Sequence, residues 1–396
     1  MKNFLRALFY AYATGVIVLG GFAFGAAVLR DSPVRGTLFG SPGESYSNWD
    51  GQWYKSIAES GYRYSTTERS NAVFFPAYPL TGCLVSRLTG LGIDEALLLT
   101  SNVFLVGAFW LILEYISLRY GPDCDRIGGY ALVALGTLPT ALFYRVNYSE
   151  SMFLFFVALA LYQMERGVHS LLVAVVVGLA TAVRPVGVAL VLPFVMDLWG
   201  RGGRPGRKLM RIAMLSPVAV WGLMAFSAHL YDKFGDPIAF VTAQAAWARR
   251  PPEPLMDRVF HLLVFEPGWV TLLPGSSTYW YNNEYHHSLL FNMRIVDPVS
   301  FLATLGLVAA GAVRRWLTPR EVAASAGLLL IAYVTNGYST NMVSMARYSS
   351  AVMPIYLVMG RMLASVEPPA AAALIGVSGF FLGAFSAMFA TWHVVI

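Results

Sequence analysis

The chain of 396 residues is 57% hydrophobic and only 13% charged, with a mean hydropathy of +0.57. Soluble domains carry about a quarter charged residues, so an ordinary soluble protein is excluded. The net charge of +6 does not signal a nucleic-acid partner, because the basic residues fall in short loops between apolar runs, where positive-inside bias puts them.

The N-terminal stretch MKNFLRALFYAYATGVIVLGGFAFGAAVLR sets Lys2 and Arg6 ahead of an apolar core of about 20 residues, long enough to cross a bilayer. It lacks a clean small-residue cleavage site and reads as a retained helix with its N-terminus in the cytoplasm. The segment 30–72 is then external. Apolar runs follow at 73–90, 95–118, 127–145, 150–164, 170–183 and 185–200. Two basic stretches belong inside, RGGRPGRKLMR (Arg201, Arg204, Arg207, Lys208, Arg211) and the loop with Arg314, Arg315 and Arg320. An even number of crossings would leave the first of them outside, so one run does not cross. FFPAYPLTGCLVSRL, with two prolines, a glycine and Arg87, reads as that run, a re-entrant or interfacial helix on the outer side. RYGPDCDR and ERGVH then face the cytoplasm, while FYRVNYSE and AVRPVG face out.

A helix over 212–231 leads to a long external segment, 232–297, rich in aromatic, proline and polar residues. Helices near 298–313, 321–336, 350–366 and 370–393 complete roughly eleven crossings and leave the C-terminus outside. The expected units are therefore 1–231, 232–297 and 298–396. Spanning backbone must satisfy its own hydrogen bonds and no strand-like alternation is visible, so the fold class is an all-α polytopic membrane protein. Polarity concentrates on one membrane face instead of repeating in two inverted halves, which favours an enzyme at the outer surface over a transporter. Cys83 and Cys124 are assigned neither a disulfide nor a metal site.

In WDGQWYKSIAESGY, Asp50 precedes a short helical pattern that stops at Gly61, so helix capping is its plain reading. A capping carboxylate at the interface is also free to face a lipid substrate. Glu150 in NYSES, beside Arg145 and Asn147, complements a helix N-terminus or serves a site. Arg184 in TAVRPVG is too costly to face lipid and needs a phosphate or a carboxylate partner, Glu150 or Asp50. Arg347 and Tyr348 in MARYSSAVMPIY present the same choice. Lys55 is a third phosphate candidate or a snorkelling lysine. Gln244 and Trp247 in AFVTAQAAW suit sugar hydroxyls and ring stacking, with an interfacial aromatic belt the alternative for Trp247. His286 and His287 are adjacent and do not share a helix face; they read as loop residues or as contacts to a phosphate or an acceptor hydroxyl. No nucleotide loop, HExxH or GxSxG is present.

Taken in order, WDGQWY, FFPAYPL, FYRVNYSESMF, TAVRPVG, AFVTAQAAW and ARYSSAVMPIY resemble the phosphatidylinositol-glycan class V (PIG-V) mannosyltransferase family, within the GT-C superfamily of membrane glycosyltransferases. The resemblance runs from about Trp49 to Tyr356. It implies a GT-C-type fold with two large extracytoplasmic loops, and transfer of mannose, with inversion, from polyprenyl phosphate mannose to a lipid-anchored glycan acceptor. It implies Asp50 as the general base of the first external loop and, by the RY-then-Pro arrangement, Arg347 as a donor-phosphate ligand, beside Arg184 and Lys55 as the candidates their chemistry offers. Trp49, Arg145, Glu150, Gln244, Trp247, His286, His287 and Tyr348 would bind sugar or acceptor. One carboxylate suffices, since the phosphate is already a good leaving group. Glu150 with Asp50 offers a divalent ion too few oxygen ligands, so no metal and no cofactor are expected. The expected setting is a monomer in a bacterial cytoplasmic membrane, with its site facing out and a lipoglycan or related glycolipid as acceptor. A lipid-linked sugar transporter and an inactive accessory subunit are the competing readings.

Overall fold

The computed structural model describes residues 1–32, 45–282 and 289–393, and every regular element among them is helical. In chain order these are α1 (Lys2–Val28), α2 (Asp50–Ser60), α3 (Ala77–Thr89), α4 (Ile93–Tyr120), α5 (Cys124–Thr137), α6 (Glu150–Glu165), α7 (Ser170–Val183), α8 (Val191–Gly200), α9 (Pro205–Ala219), α10 (Trp221–Phe234), α11 (Ala239–Thr242), α12 (Leu255–Leu263), α13 (Glu266–Trp269), α14 (Met293–Val313), α15 (Pro319–Ala332), α16 (Met345–Ser350), α17 (Pro354–Ser365) and α18 (Pro368–Ala390). The core is a continuous cluster drawn mainly from α4 to α7, α15 and α17. Side chains such as Leu8, Leu19, Val103, Leu172, Leu305 and Phe380 stay exposed on the helices around it, as a bundle solvated by lipid requires.

Among the described residues, four helical stretches are long and apolar enough to cross a membrane: Lys2–Val28, Ile93–Thr137, Met293–Val313 and Pro368–Ala390. The pair α9 and α10, bent by 48°, makes a fifth if taken as one span. Other apolar runs are divided. The run 127–145 breaks at Leu138, where Pro139 opens a tight helical turn, and the run 185–200 starts with a similar turn before α8. Such breaks survive at membrane depth only where protein covers the freed backbone, and here Leu135, Leu142 and Leu190 are buried. The 13 residues of α3 reach about 20 Å at 1.5 Å per residue, short of an apolar layer of about 30 Å. The segment 232–297 holds α11 to α13, and α14 begins inside it at Met293.

Ion pairs define two ends of the bundle. Lys2 and Arg6 pair with Asp125. Arg119 stands 3.6 Å from Glu321 and 3.9 Å from Glu165, while Arg320 holds Glu165 at 2.8 Å and Asp197 at 2.7 Å. Arg201 joins through Asp197 at 2.8 Å. The N-terminus, RYGPDCDR, ERGVH and both basic stretches thus meet at one end, as the charge pattern groups them. At the other end Ser32 donates its N–H to the Thr391 carbonyl (2.9 Å), and Asn147 donates its own to that of Tyr46 (2.9 Å).

Candidate active site

This second end carries the candidate site. Capping predicts Asp50 as the residue before the helix; instead Trp49 holds that position and Asp50 is the first helical residue, with no side-chain cap bond. Arg347 draws the carboxylate away, its Nη1 donating to Asp50 Oδ2 at 2.6 Å. Gly61 does end α2, at φ 75°. Trp49 lies at φ 55°, ψ −116°, a region that costs a non-glycine residue about 1–3 kcal/mol. Its ring packs on Trp392 at 5.6 Å. The next N–H, that of Asp50, donates to the Tyr148 hydroxyl at 3.1 Å, which in turn donates to the Asn48 carbonyl at 3.1 Å. This bend aims Asp50 into the bundle.

Glu150 opens α6 and is 1% exposed. Its Oε1 accepts from Arg184 Nη1 at 2.5 Å. Arg347 Nε stands 3.3 Å from the same oxygen, near enough to pair by charge though not aligned for a hydrogen bond. Arg184 reaches this point because the residue before a proline is pushed into extended backbone, here φ −151°, ψ 142°, which ends α7 and turns the side chain inward. Gly187 completes that corner, since a Cβ there would lie 2.6 Å from the Ala180 carbonyl. The result is a chain, Arg184–Glu150–Arg347–Asp50, in which Asp50 is the most open side chain at 23%. The Arg184 guanidinium lies 5.1 Å from the Tyr348 ring centre, and Arg347 lies 5.4 to 5.7 Å from those of Tyr148, Phe143 and Tyr348.

Arg347 is placed by a residue that sequence reasoning passed over. Asp297, 1% exposed in α14, accepts the backbone N–H of Ser344 at 2.9 Å and of Ala346 at 2.8 Å. It thereby holds the start of α16, where Ser344 sits at φ 67°. Asp-Pro ahead of an apolar run was the available signal. Removing both acceptors leaves two buried donors, each worth about 1–3 kcal/mol. Asp297→Ala should therefore melt well below wild type in detergent and Asp297→Asn less so; equal melting of Asp297→Ala and wild type would refute the anchoring role.

Two further residues escaped notice, Tyr148 and Asp94. Asp94, at the start of α4, pairs with Lys55 and accepts from Ser47; Asn147 donates to Ser47 Oγ at 2.6 Å and to the Asp94 carbonyl at 3.0 Å. Burial alone would depress the Lys55 ammonium, but the hydrogen bond and charge of Asp94 outweigh it and hold its pKa above the usual lysine range. Lys55 is thus committed to a carboxylate, as are Arg184 and Arg347. Arg145 points away from Asp50, its Nη2 donating to Thr14 Oγ1 of α1 at 2.5 Å. Trp247 joins the site: its ring packs 5.4 Å from Trp53, one turn after Asp50, and 5.8 Å from Phe74. Gln244, one turn earlier, is exposed and makes no hydrogen bond to this cluster. His286 and His287 lie outside the described residues. Among the described residues no three His, Cys, Asp or Glu side chains converge; Arg347 stands between the two site carboxylates.

Residues 36–200 match the family profile described as Mannosyltransferase (PIG-V), a span that includes Asp50, Glu150 and Arg184. The chain is 32% identical over 246 residues to GPI alpha-1,6-mannosyltransferase 2 of Cricetulus griseus, covering 57% of this chain and 46% of that protein. To the Rattus norvegicus protein of the same name it is 29% identical over 252 residues, covering 58% and 48%. It spans about half the length of the curated relatives it matches. Among solved structures, ArnT from Cupriavidus metallidurans bound to undecaprenyl phosphate aligns with 93% of this chain and 62% of its own, at a TM-score of 0.48 and 15% identity. The family match meets the resemblance read from WDGQWY, FFPAYPL, FYRVNYSESMF and TAVRPVG, all within residues 36–200, whereas AFVTAQAAW and ARYSSAVMPIY lie beyond it.

Proposed function

We infer that this chain, of the PIG-V mannosyltransferase type over residues 36–200, is a membrane glycosyltransferase. It moves mannose from polyprenyl phosphate mannose to a hydroxyl of a lipid-anchored glycan, with inversion and with Asp50 as base. The observation that carries this reading is the ion-pair chain: three buried members fix a fourth, Asp50, which alone keeps an appreciable opening. Because Oδ2 is held by Arg347, Oδ1 is left to take the proton from the acceptor hydroxyl. The hydroxyl oxygen forms its bond to the sugar's anomeric carbon as the bond from that carbon to the phosphate oxygen breaks. The electron pair leaves with the polyprenyl phosphate. Trp53, Phe74 and Trp247 offer aromatic faces beside the reacting centre, suited to a sugar ring or a prenyl chain.

The reaction is proposed to need no divalent ion, since both site carboxylates are engaged by guanidinium groups and hard cations want several oxygen ligands. Transfer of label from polyprenyl phosphate mannose into extracted glycolipid should persist in EDTA. Loss of transfer in EDTA with recovery on adding a divalent cation would overturn the metal-free mechanism, and no transfer by membranes that carry the protein would overturn the enzyme.

The site is proposed to face away from the cytoplasm, in a GT-C-type arrangement of about eleven crossings. The gathering of Lys2, Arg6, Arg119, Arg201 and Arg320 at the opposite end supports that orientation. With Cys83 and Cys124 replaced, an impermeant maleimide applied outside intact cells should label Thr67→Cys, exposed at the site end, and spare Arg204→Cys. The reverse labelling would invert the orientation.

A further inference from the structure

We propose that Arg69 and Arg249 form an anion site on the Asp50 end of the bundle, beside Trp247, one that takes the phosphate of a lipid ligand. The identity of that lipid as donor or acceptor rests on the glycosyltransferase reading; the anion site itself does not.

A series of contacts links the two arginines to Asp50. Trp53, one turn along α2, meets Trp247 at 5.4 Å, and the Arg69 guanidinium lies over the Trp247 ring, 5.2 Å from its centre. Two residues on, Arg249 is fixed by its backbone N–H on the Ser339 carbonyl at 2.8 Å, and its Nη1 lies 3.8 Å from Met293 Sδ. Met293 opens α14 one turn before Asp297, and residues four apart share a helix face. Asp297 holds Ala346, and Arg347 returns to Asp50. Arg69 and Arg249 are therefore linked to the carboxylate through packed contacts, by Trp247 and Trp53 on one side and by Met293, Asp297 and Arg347 on the other.

Their charges set them apart from the other arginines there. Arg184 and Arg347 are neutralised by Glu150 and Asp50, and Arg250 binds Glu266 through two bonds of 2.7 and 3.0 Å. Among the described residues, no carboxylate lies within ion-pair distance of Arg69, Arg249 or Arg294. Arg249 nevertheless lies within electrostatic reach of both other cations. Arg249 thus sits between two other guanidinium groups and one buried acid, Asp297, whose oxygens are already given to backbone donors, a positive cluster that an anion completes. Guanidinium groups bind phosphate oxygens in pairs of parallel hydrogen bonds, and the indole under Arg69 presets its plane. The adjoining aromatic faces of Trp53 and Phe74 supply the apolar neighbour a lipid phosphate needs and free phosphate does not.

The test is calorimetric titration of the purified full chain in detergent with farnesyl phosphate, with farnesol, and with dioleoyl phosphatidylinositol. Wild type should bind at least one phosphate lipid tenfold more tightly than farnesol. The exposed pair changed together, Arg69→Gln with Arg249→Gln, should lose that tenfold while farnesol binding holds, and the paired Lys substitutions should keep part of it. Loss confined to farnesyl phosphate assigns the site to a prenyl-phosphate donor; loss confined to phosphatidylinositol assigns it to the acceptor lipid. Unchanged affinity for both phosphate lipids overturns the proposal, and so does an equal loss for farnesol. Binding that depends on Arg69 and Arg249 in a protein that transfers no mannose would sink the enzyme reading and leave the anion site standing.

Discussion

Membranes carrying Asp50→Asn should transfer mannose at least ~100-fold more slowly than wild type, the lower bound of what a positioned general base contributes. Asparagine fills the same space and its carbonyl oxygen still accepts from Arg347, so the polar contact at 2.6 Å survives. The bond that sets the bend at Trp49 is made by the backbone of residue 50 and is untouched. What disappears is the capacity to take a proton, together with one negative charge. That charge belongs to the open end of the chain Arg184–Glu150–Arg347–Asp50, where solvent limits the penalty. The variant should accordingly reach the membrane in normal amounts. Asp50→Glu keeps the charge but displaces it by about one bond length, and misplacement of about 1 Å costs up to ~100-fold; intermediate activity is the expectation. Transfer by Asp50→Asn at the wild-type rate would remove Asp50 from the chemistry.

Much of the architecture was legible because it follows from one-dimensional pattern. Apolar runs locate the helices, and basic residues group the loops: Lys2, Arg119, Arg201 and Arg320 were assigned one side by charge and are joined by ion pairs. Interruptions were less legible, since Pro139 and Pro185 break runs whose hydropathy continues across them. At the site, Arg184 and Arg347 were visible as cations too costly to face lipid, and Asp50 and Glu150 as acids at helix starts. Their pairing was not. Arg347 meets a carboxylate 297 positions away in sequence, and local rules assign Asp50 instead to its own helix N-terminus. That rule failed because the left-handed turn at Trp49 makes residue 50 the first helical position. Asp94 and Asp297 were missed for a related reason. Each begins an apolar run, where an acid reads as ordinary complement to a helix dipole, and only the folded chain brings Lys55 to one and the Ser344 and Ala346 amides to the other. The same commitments leave Arg69 and Arg249, in loops of no evident pattern, among the cations with no carboxylate of their own.

Glu150→Ala should be the most damaging change to stability, by about 3–5 kcal/mol, the cost of removing one partner from a buried ion pair. Its carboxylate, 1% exposed, lies between Arg184 at 2.5 Å and Arg347 at 3.3 Å. Without it two buried guanidinium groups share only Asp50, which reaches Arg347 alone. Glu150→Gln keeps an acceptor for Arg184 but not the charge, and should melt between Glu150→Ala and wild type. The pair can also be removed as a unit. Replacing buried ions by apolar groups of similar volume is often close to neutral, so Glu150→Leu combined with Arg184→Met should recover most of the melting temperature lost by Glu150→Ala. That recovery separates charge imbalance from a packing defect at the start of α6. A Glu150→Ala protein melting like wild type would mean that solvent already neutralises the cluster. Asp50 would then owe its position to the bend at Trp49 rather than to the chain of charges behind it.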